Sequence, residues 1–432
     1  MSAHATMHGP AASRPDARRV VITGMGVVSP IGVDRETFWR AALAGLNGVR
    51  PLEFEELPAG RRLFGGQVPP DALEGRFDAR EEQRLSAPAR FAMLAAREAL
   101  GQAGLARPAG AGIDPWRFGV CLGSGTGNPR QVGAAAIMWS QLGLGGVPRR
   151  ALWKTPATSV TAALADAFDL RGPNTLFTTS CMAGNNAIAY AADLLAAGRA
   201  EVMLTGGAEA MSWVVSNGFR MLTTVKGEDL SRSQPFCAER RGVIIGEGAG
   251  VLVLETLAHA RARGAAVLAE VLGSGFASDA HHASTPHPEG TGGLAAVRQS
   301  LQRAGLGPEA LDYVSAHGTG SQSNDVVETR IFKAVLGERA GAVPISSLKS
   351  MLGHSLGAAS AIEAIACVLA MRDGRVPPTI NYTTPDPECD LDYVPNVARD
   401  HRVDVALSTA FAFGGSCSSL VLGRAEAERH AA

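Results

Sequence analysis

Hydrophobic and polar positions alternate between two patterns along the chain. Short runs rich in β-branched residues are typical of buried strands, and they include RRVVITG, FGVCLG, TLFTT, EVMLTGG and GVLVLE. Between them lie Ala- and Leu-rich stretches with helical spacing. These stretches predict helices over residues 86–103, 185–197, 325–336 and 356–372. Gly198, Gly337 and Gly374 are expected to end the last three. Strands that alternate with helices predict an α/β fold.

The same theme recurs in the second part of the chain. Its predicted strands are AVLAEVLGSG, LDYVSA, VPISS, VALST and SSLVLG. With 432 residues, the chain exceeds the size at which one hydrophobic core stops growing, so two halves are expected. The charged turn AHARARGA, near Gly264, predicts halves over residues 19–262 and 263–425. Residues 1–18 lack an apolar segment and predict a disordered tail rather than a signal peptide.

Charge and composition exclude several classes of function. Lys plus Arg number 40 and Asp plus Glu number 41, so no overall attraction to nucleic acid or to an anionic membrane is expected. No apolar run is long enough to span a bilayer, because glycines and charges interrupt each one. The 6 cysteines lack CxxC spacing, which disfavours a disulfide framework or a zinc site. We therefore expect a cytoplasmic protein that binds neither nucleic acid nor membrane.

Reactive side chains follow several of the predicted strands. Cys181 follows TLFTT, His317 follows LDYVSA, and Lys349 and His354 follow VPISS. A fourth segment, VALSTAFAFGG, ends in paired glycines. Ligands of open α/β sheets bind beyond the carboxyl ends of the strands. The sequence therefore predicts that these segments meet at one cleft.

Two glycine-rich segments are rejected as nucleotide sites. VVITGMGVVSP has Ser29 where the dinucleotide fingerprint needs a third glycine, and Pro30 disfavours helical geometry there. GSGTG, at Gly123, is not followed by the Lys-Ser/Thr pair of a phosphate-binding loop. No nucleotide cofactor is expected.

Cys181 has two interpretations. Most free cysteines are small buried hydrophobic residues. Here, however, a strand meets a helix, and the free N–H groups and dipole of a helix start stabilise a thiolate. Such a corner also projects its side chain from the sheet. The sequence predicts an exposed nucleophile with a lowered pKa at Cys181.

The histidines and the lysine have less specific alternatives. A histidine after a strand is often structural, and a lysine in a turn is often solvated. The apolar surroundings of Lys349 require a partner, for which Glu363 is the candidate. Cys181, His317 and His354 lie on three separate loops without ligand spacing, so acyl chemistry is favoured over zinc and no metal is expected.

Four segments resemble, in order, the active-site blocks of β-ketoacyl-acyl carrier protein synthases: TTSCMAGNNA, SAHGTGSQSND, SSLKSMLGHSLGAASAIEA and AFAFGGS. The resemblance covers nearly the whole chain, from about Val20 to Gly423. It implies a thiolase fold, with two similar halves stacked as five α/β layers and normally dimeric. HGTGSQSNDVVET and PPTINYTTPDPECDLDYVP further resemble the elongating ketosynthase subunit of type II polyketide synthases.

The resemblance also implies roles for individual residues. Cys181 would accept the acyl chain from an acyl carrier protein, while His317 and His354 would promote decarboxylation of a malonyl group and stabilise its enolate. Lys349 and Glu363 would orient the histidines. The backbone N–H groups of Cys181 and Phe413 would form an oxyanion hole, with Phe413 as a gate. Ala412 stands where the gate motif usually has glycine.

Two kinds of partner follow from the resemblance. An acidic acyl carrier protein would dock on a local basic patch, for which Arg80, Arg84, Arg90 and Lys226 are candidates. A solvated face is an equally good interpretation of each arginine. The second subunit would be an identical chain or a chain-length-factor-like partner.

Three alternatives remain at this point. The first is a ketosynthase of fatty-acid elongation. The second is a non-catalytic subunit that sets chain length, and Cys181 argues against it because such subunits lack the cysteine. The third is a thiolase or a cysteine hydrolase, which two histidines and LKSMLGH fit less well.

Overall fold

The computed structural model describes residues 15–52, 63–106, 112–222 and 231–425. The strands are β1 (Val20–Val28), β2 (Val49–Pro51), β3 (Phe64–Gly66), β4 (Phe118–Gly123), β5 (Asn174–Phe177), β6 (Val202–Glu209), β7 (Gly248–Thr256), β8 (Ala269–Ser278), β9 (Tyr313–Ser315), β10 (Ile345–Ser346), β11 (Arg375–Val376), β12 (Arg399–Asp400), β13 (Val405–Phe411) and β14 (Ser416–Arg424).

The helices alternate with these strands. They are α1 (Arg35–Leu43), α2 (Ala79–Arg84), α3 (Ala87–Gln102), α4 (Pro129–Leu142), α5 (Arg149–Leu152), α6 (Ser159–Phe168), α7 (Ala183–Ala196), α8 (Trp213–Leu222), α9 (Leu257–Ala262), α10 (Thr291–Ala304), α11 (Gln322–Leu336), α12 (Lys349–Leu352) and α13 (Ala359–Asp373). None of these helices is both long enough and apolar enough to cross a bilayer.

The two halves contribute five strands each to the main sheet, in matching order. The first half supplies the order β5-β4-β6-β7-β1, and the second half supplies β8-β14-β13-β9-β10. The halves join where β1 pairs antiparallel with β8 over three residue pairs, from Val20↔Val271 to Ile22↔Ala269. The repeated strand pattern of the sequence thus corresponds to a repeated sheet. The division of the chain near Gly264 stays a prediction.

Helices cover both faces of each set of strands. α3 and α6 pack on the first half, α10 packs on β8 and β14, and α7 and α13 contact strands of both halves. From Ala359 to Met371 every residue of α13 is buried, as expected for a helix packed between the two halves of the sheet. The layers therefore run helix, strand, helix, strand, helix. This confirms the five-layer α/β arrangement.

The glycines of β1 serve helix packing. A Cβ atom at Gly24 would lie 2.1 Å from the Ala99 carbonyl oxygen, and one at Gly26 would lie 2.0 Å from that of Ala95. Both carbonyls belong to α3, so these glycines let the helix approach the strand closely.

Helix boundaries differ from the sequence predictions at their starts. α7 begins at Ala183, and α11 begins at Gln322 because the Ser321 hydroxyl accepts the Asn324 N–H at 3.3 Å and caps the helix. Residues 356–358 form a 3₁₀ turn, with Leu356 at a φ of +45°, before α13 starts. Residues 15–18 of the expected tail form a hydrogen-bonded turn, and Asp16 pairs with Arg261. Residues 1–14 lie outside the described residues.

Candidate active site

Cys181 lies on a tight corner between β5 and α7. After Phe177 the chain passes through a 3₁₀ turn, Ser180–Met182, and Ser180 has a left-handed φ of +56°. Left-handed backbone at a non-glycine residue is costly and is concentrated at functional sites. The corner directs Cys181 into a cavity of about 230 Å³.

The expectation of an exposed, low-pKa thiol is wrong. Cys181 is only 4% exposed, and burial raises the pKa of its thiol to about 11, against the weaker opposing effects of the Ser180 hydroxyl and the Lys349 charge. The cover comes from distant segments, since Leu356 and Ala412 join Cys181 in one apolar cluster. Desolvation therefore outweighs the helix start. All six cysteines are buried, so it is the neighbourhood of Cys181 that distinguishes it.

His317 follows β9 and is fixed through its backbone. Its N–H donates to a Glu328 carboxylate oxygen at 2.6 Å and to the Thr409 hydroxyl oxygen at 3.2 Å. The Gly318 N–H donates to the other oxygen of Glu328 at 2.7 Å. Glu328 is buried on α11, and the sequence analysis missed it. The sequence signal was the position of Glu328 among apolar residues of a predicted helix, since a buried carboxylate is rare unless it has a partner.

His354 is also fixed through its backbone. Its backbone N–H donates to the Ile244 carbonyl oxygen at 2.6 Å. The rings of His317 and His354 lie 5.2 Å apart between centroids, at 85°. Burial, together with the charge of Lys349, holds the pKa of both histidines well below its ordinary value. Both rings are therefore neutral at physiological pH.

The thiol and the two imidazoles face one another. The Cys181 sulfur and one ring nitrogen from each histidine all lie within 4.8 Å of one another. His317 Nδ1 and both ring nitrogens of His354 are buried without a hydrogen-bond partner among the described residues. Buried polar atoms without partners are rare in native proteins. The arrangement leaves them available to a ligand.

Lys349 and Glu363 form a buried ion pair behind this cluster. Lys349 opens α12, Glu363 lies on α13, and both side chains are 2% exposed. Burial raises the pKa of Glu363, while the Lys349 charge opposes that effect. The partner that the sequence predicted for Lys349 is thus the one that the structure shows.

Phe413 lines the cavity beside Cys181. Its ring stacks on that of Phe219, from α8, with centroids 5.4 Å apart and planes 19° from parallel. Ala412 has a negative φ, so the methyl group in place of the usual glycine causes no backbone strain. Phe219 was missed because nothing in the local sequence of α8 links it to the gate.

The arginines proposed for docking lie near the start of α3. Arg80 and Arg84 are exposed, and Arg84 pairs with Asp166 at 3.4 Å. Arg90 is half-buried and donates to the Glu82 carbonyl oxygen at 2.7 Å. Lys226 lies outside the described residues.

A second group of cations adjoins Arg90. Burial, followed by the charges of Arg90 and Arg150, lowers the pKa of Lys154. Lys154 therefore lies close enough to Arg90 and to Arg150 to be repelled by each.

Known proteins resemble this chain over most of its length. The family description "Beta-ketoacyl synthase, N-terminal domain" matches residues 17–260, and "Beta-ketoacyl synthase, C-terminal domain" matches residues 268–383. Nodulation protein E of Rhizobium meliloti is 41% identical over 92% of this chain and 97% of its own. The 3-oxoacyl-[acyl-carrier-protein] synthase 2 of Synechocystis is 37% identical over 93% and 96%. A granaticin polyketide putative beta-ketoacyl synthase of Streptomyces violaceoruber is 39% identical over 95% and 99%.

Solved structures agree in fold. One is a chain from the structure of a type II polyketide synthase acyl-carrier protein in complex with its ketosynthase, bound to the hexaketide. It superposes with a TM-score of 0.86 and 32% identity, over 95% of this chain and 100% of that one. A chain of the ishigamide ketosynthase/chain length factor has a TM-score of 0.86 and 34% identity, with the same coverage. The chain therefore belongs to the β-ketoacyl synthase family, and it is a condensing enzyme of the acyltransferase class.

Proposed function

We propose that this β-ketoacyl synthase extends a Cys181-bound acyl chain with malonyl-acyl carrier protein in a type II polyketide pathway. The observation that carries the condensation chemistry is the approach of the Cys181 sulfur and two neutral imidazoles to within 4.8 Å of one another. A nucleophile and two hydrogen-bonding groups in one buried cavity suit acyl transfer followed by enolate formation.

In the first half-reaction the Cys181 sulfur attacks the thioester carbonyl of an acyl carrier protein. The carbon–sulfur bond to the carrier breaks, the carrier thiol takes the proton from Cys181, and the acyl chain stays on Cys181. The backbone N–H groups of Cys181 and Phe413 stabilise the oxyanion of the tetrahedral intermediate. Because burial raises the pKa of Cys181, deprotonation accompanies attack rather than preceding it.

In the second half-reaction the thioester carbonyl of a malonyl group accepts hydrogen bonds from His317 and His354. Carbon dioxide leaves, and its bonding electron pair becomes the enolate, which the two imidazoles stabilise. The enolate carbon attacks the acyl carbonyl on Cys181, the carbon–sulfur bond to Cys181 breaks, and the sulfur takes up a proton that enters the cavity from solvent. Neutral rings suit this step, because each imidazole has one N–H that can donate to the enolate oxygen without a buried positive charge.

Two carboxylates act as positioning residues in this scheme. Glu328 accepts both backbone N–H groups at His317 and Gly318, and so fixes the first imidazole. Glu363 balances the charge of Lys349, which would otherwise be buried without a partner. Neither carboxylate needs to touch the substrate.

The carrier protein docks on the basic surface near the start of α3. Exposed Arg80 and Arg84 support this, since the pair of Arg84 with Asp166 is solvent-exposed and therefore weak. The repulsion of Lys154 by Arg90 and Arg150 extends the surface, because an acidic partner would relieve it. A carrier protein accompanies the ketosynthase in one structural relative.

A second subunit covers the open edge of β5 and exposed apolar side chains of the first half. β5 is an edge strand of the described sheet. Large apolar side chains of α4, the end of α5 and α8 are also exposed, including Trp139 at 59%, Trp153 at 70% and Met221 at 86%. Open strand edges and exposed apolar groups are each typical of interfaces. The partner is an identical chain or one like the chain length factor of the ishigamide relative.

The polyketide assignment rests on HGTGSQSNDVVET, PPTINYTTPDPECDLDYVP and the polyketide relatives. Fatty-acid elongation is the second candidate, favoured by the synthase 2 relatives. Reconstitution with malonyl-carrier protein, with and without a chain-length-factor-like subunit, separates the two. Polyketide synthesis predicts carrier-bound chains from repeated condensation without reduction, and only with the partner. A single condensation per cycle, without any partner, would establish fatty-acid elongation instead.

A further inference from the structure

We propose that Cys181, His317 and His354 also form a binding site for a soft divalent metal ion such as Zn²⁺, which reversibly blocks the unloaded enzyme. The inhibitory consequence rests on the proposed function of the same three residues, whereas the metal site itself does not. Each residue offers one ligand atom, and the three atoms lie within 4.8 Å of one another in a buried cluster. The lack of ligand spacing along the sequence disfavoured a metal, whereas the structure brings the three ligand atoms together.

The donor set fits the coordination chemistry of zinc. Thiolate and imidazole ligands bind Zn²⁺ at about 2.3 Å and about 2.0–2.1 Å, with tetrahedral geometry. Ligand atoms in such a site lie roughly 3.3–3.6 Å apart, so the side chains need to close by roughly 1 Å. Three protein ligands leave the fourth position to water, for which the cavity of about 230 Å³ has room.

The imidazole nitrogens are available without breaking existing hydrogen bonds, and the Cys181 sulfur gives up only its contact with the Ser180 hydroxyl, at 3.6 Å. His317 Nδ1 and both ring nitrogens of His354 have no hydrogen-bond partner among the described residues, although they are buried. The nearest cation, Lys349, is paired with Glu363, so its charge is balanced. A metal ion would satisfy imidazole lone pairs that the structure otherwise leaves unmatched.

Binding exchanges a proton for the metal. The sulfur–hydrogen bond of Cys181 breaks, a sulfur–zinc bond forms, and the proton leaves through the cavity to solvent, with no change of oxidation state. An acyl group on Cys181 removes this site, because a thioester sulfur carries no charge to give to the metal. Zinc and the acyl donor therefore compete for the Cys181 sulfur, and the enzyme with an acyl group on Cys181 is protected from inhibition by zinc.

Cobalt substitution tests the site without relying on activity. Co²⁺ is titrated into full-length protein that has been stripped with a chelator. We expect one ion per chain, with intense tetrahedral bands and a thiolate-to-metal charge-transfer band. The Cys181→Ala variant should lose the charge-transfer band, and His317→Ala or His354→Ala should weaken binding at least about tenfold, since loss of outer-shell partners alone costs about 10–100-fold. Cys417→Ser is the matched control, because Cys417 lines the same cavity but is not a ligand.

Three results would overturn the proposal: no charge-transfer band in the native protein, a band that persists in Cys181→Ala, or affinity unchanged in both histidine variants. Circular dichroism verifies that each variant is folded, and alkylation of native Cys181 gives the same test without mutation. Zn²⁺ added before the acyl donor should prevent acylation, while Zn²⁺ added afterwards should leave the acyl group in place. Condensation assayed with excess chelator tests the proposed function separately, so the two proposals fail independently.

Discussion

Lys349 and Glu363 form an ion pair with both side chains 2% exposed, between the start of α12 and the middle of α13. The pair lies behind the two histidines, and the charge of Lys349 acts on the pKa of both. A charge this deeply buried requires its partner. The pair therefore links the stability of the second half to the electrostatics of the site.

Removing one member should destabilise the protein strongly. We expect Glu363→Leu to lower the free energy of unfolding by about 3–5 kcal/mol, because it leaves the Lys349 ammonium buried and unpaired. The double variant Lys349→Met/Glu363→Leu should recover most of that loss, yet it should still condense poorly. Chemical denaturation and condensation assays measure both. A double variant with native activity would show that the pair has only a structural role.

The pH dependence of Cys181 alkylation should reflect its burial. Since the pKa of Cys181 is raised to about 11, reaction with iodoacetamide should accelerate about tenfold per pH unit through pH 9 and 10. The unfolded chain, as control, should instead level off above about pH 8.5. Mass spectrometry of the Cys181 peptide isolates this thiol from the other five. A plateau near neutral pH in the folded protein would restore the low-pKa thiolate that the sequence suggested.

His317 and His354 should act in the second half-reaction. Replacing either with alanine should reduce decarboxylation and elongation by about 10²–10³-fold, the usual cost of one lost oxyanion donor, with a smaller effect on acylation of Cys181. In the native enzyme, decarboxylation should not titrate near pH 6.5, because the lowered pKa keeps both rings neutral well below that point. Stopped-flow measurement of carbon dioxide release gives both results. Equal losses in the two half-reactions would contradict this division of roles.

Charge reversal on the docking surface should affect only carrier-bound substrates. Arg84→Glu/Arg90→Glu should raise the KM for acyl-carrier protein, most clearly at low salt, while small thioester mimics acylate Cys181 at the native rate. Arg402→Glu is the matched control, because Arg402 is also exposed and ion-paired but lies just before β13. Unchanged carrier kinetics at low salt would mean that the carrier docks elsewhere.

Features that depend on residues close together in the chain could be predicted from the sequence. Features that depend on contacts between segments far apart in the chain could not. Strands, the C-terminal ends of helices and the placement of Cys181 and His317 after strands depend on local pattern, and the structure shows these, whereas His354 follows the short helix α12. Burial of Cys181 does not, because Leu356 and Ala412 reach it from remote segments. The contact between Phe219 and Phe413 likewise forms only when distant elements pack, whereas Glu328 reaches the backbone of His317 from the next helix along the chain.

The most direct test of the account is to follow acyl loading and elongation in the native protein and in Cys181→Ala. Each protein is given an acyl-carrier donor and then malonyl-carrier protein, and intact-protein and product masses are recorded. The native enzyme should gain one acyl group on Cys181 and transfer it into a longer carrier-bound product as carbon dioxide is released. The variant should stay folded, because the substitution removes only one sulfur atom, and it should form neither species. An acyl-enzyme or an elongated product from Cys181→Ala would contradict the central claim that Cys181 is the nucleophile.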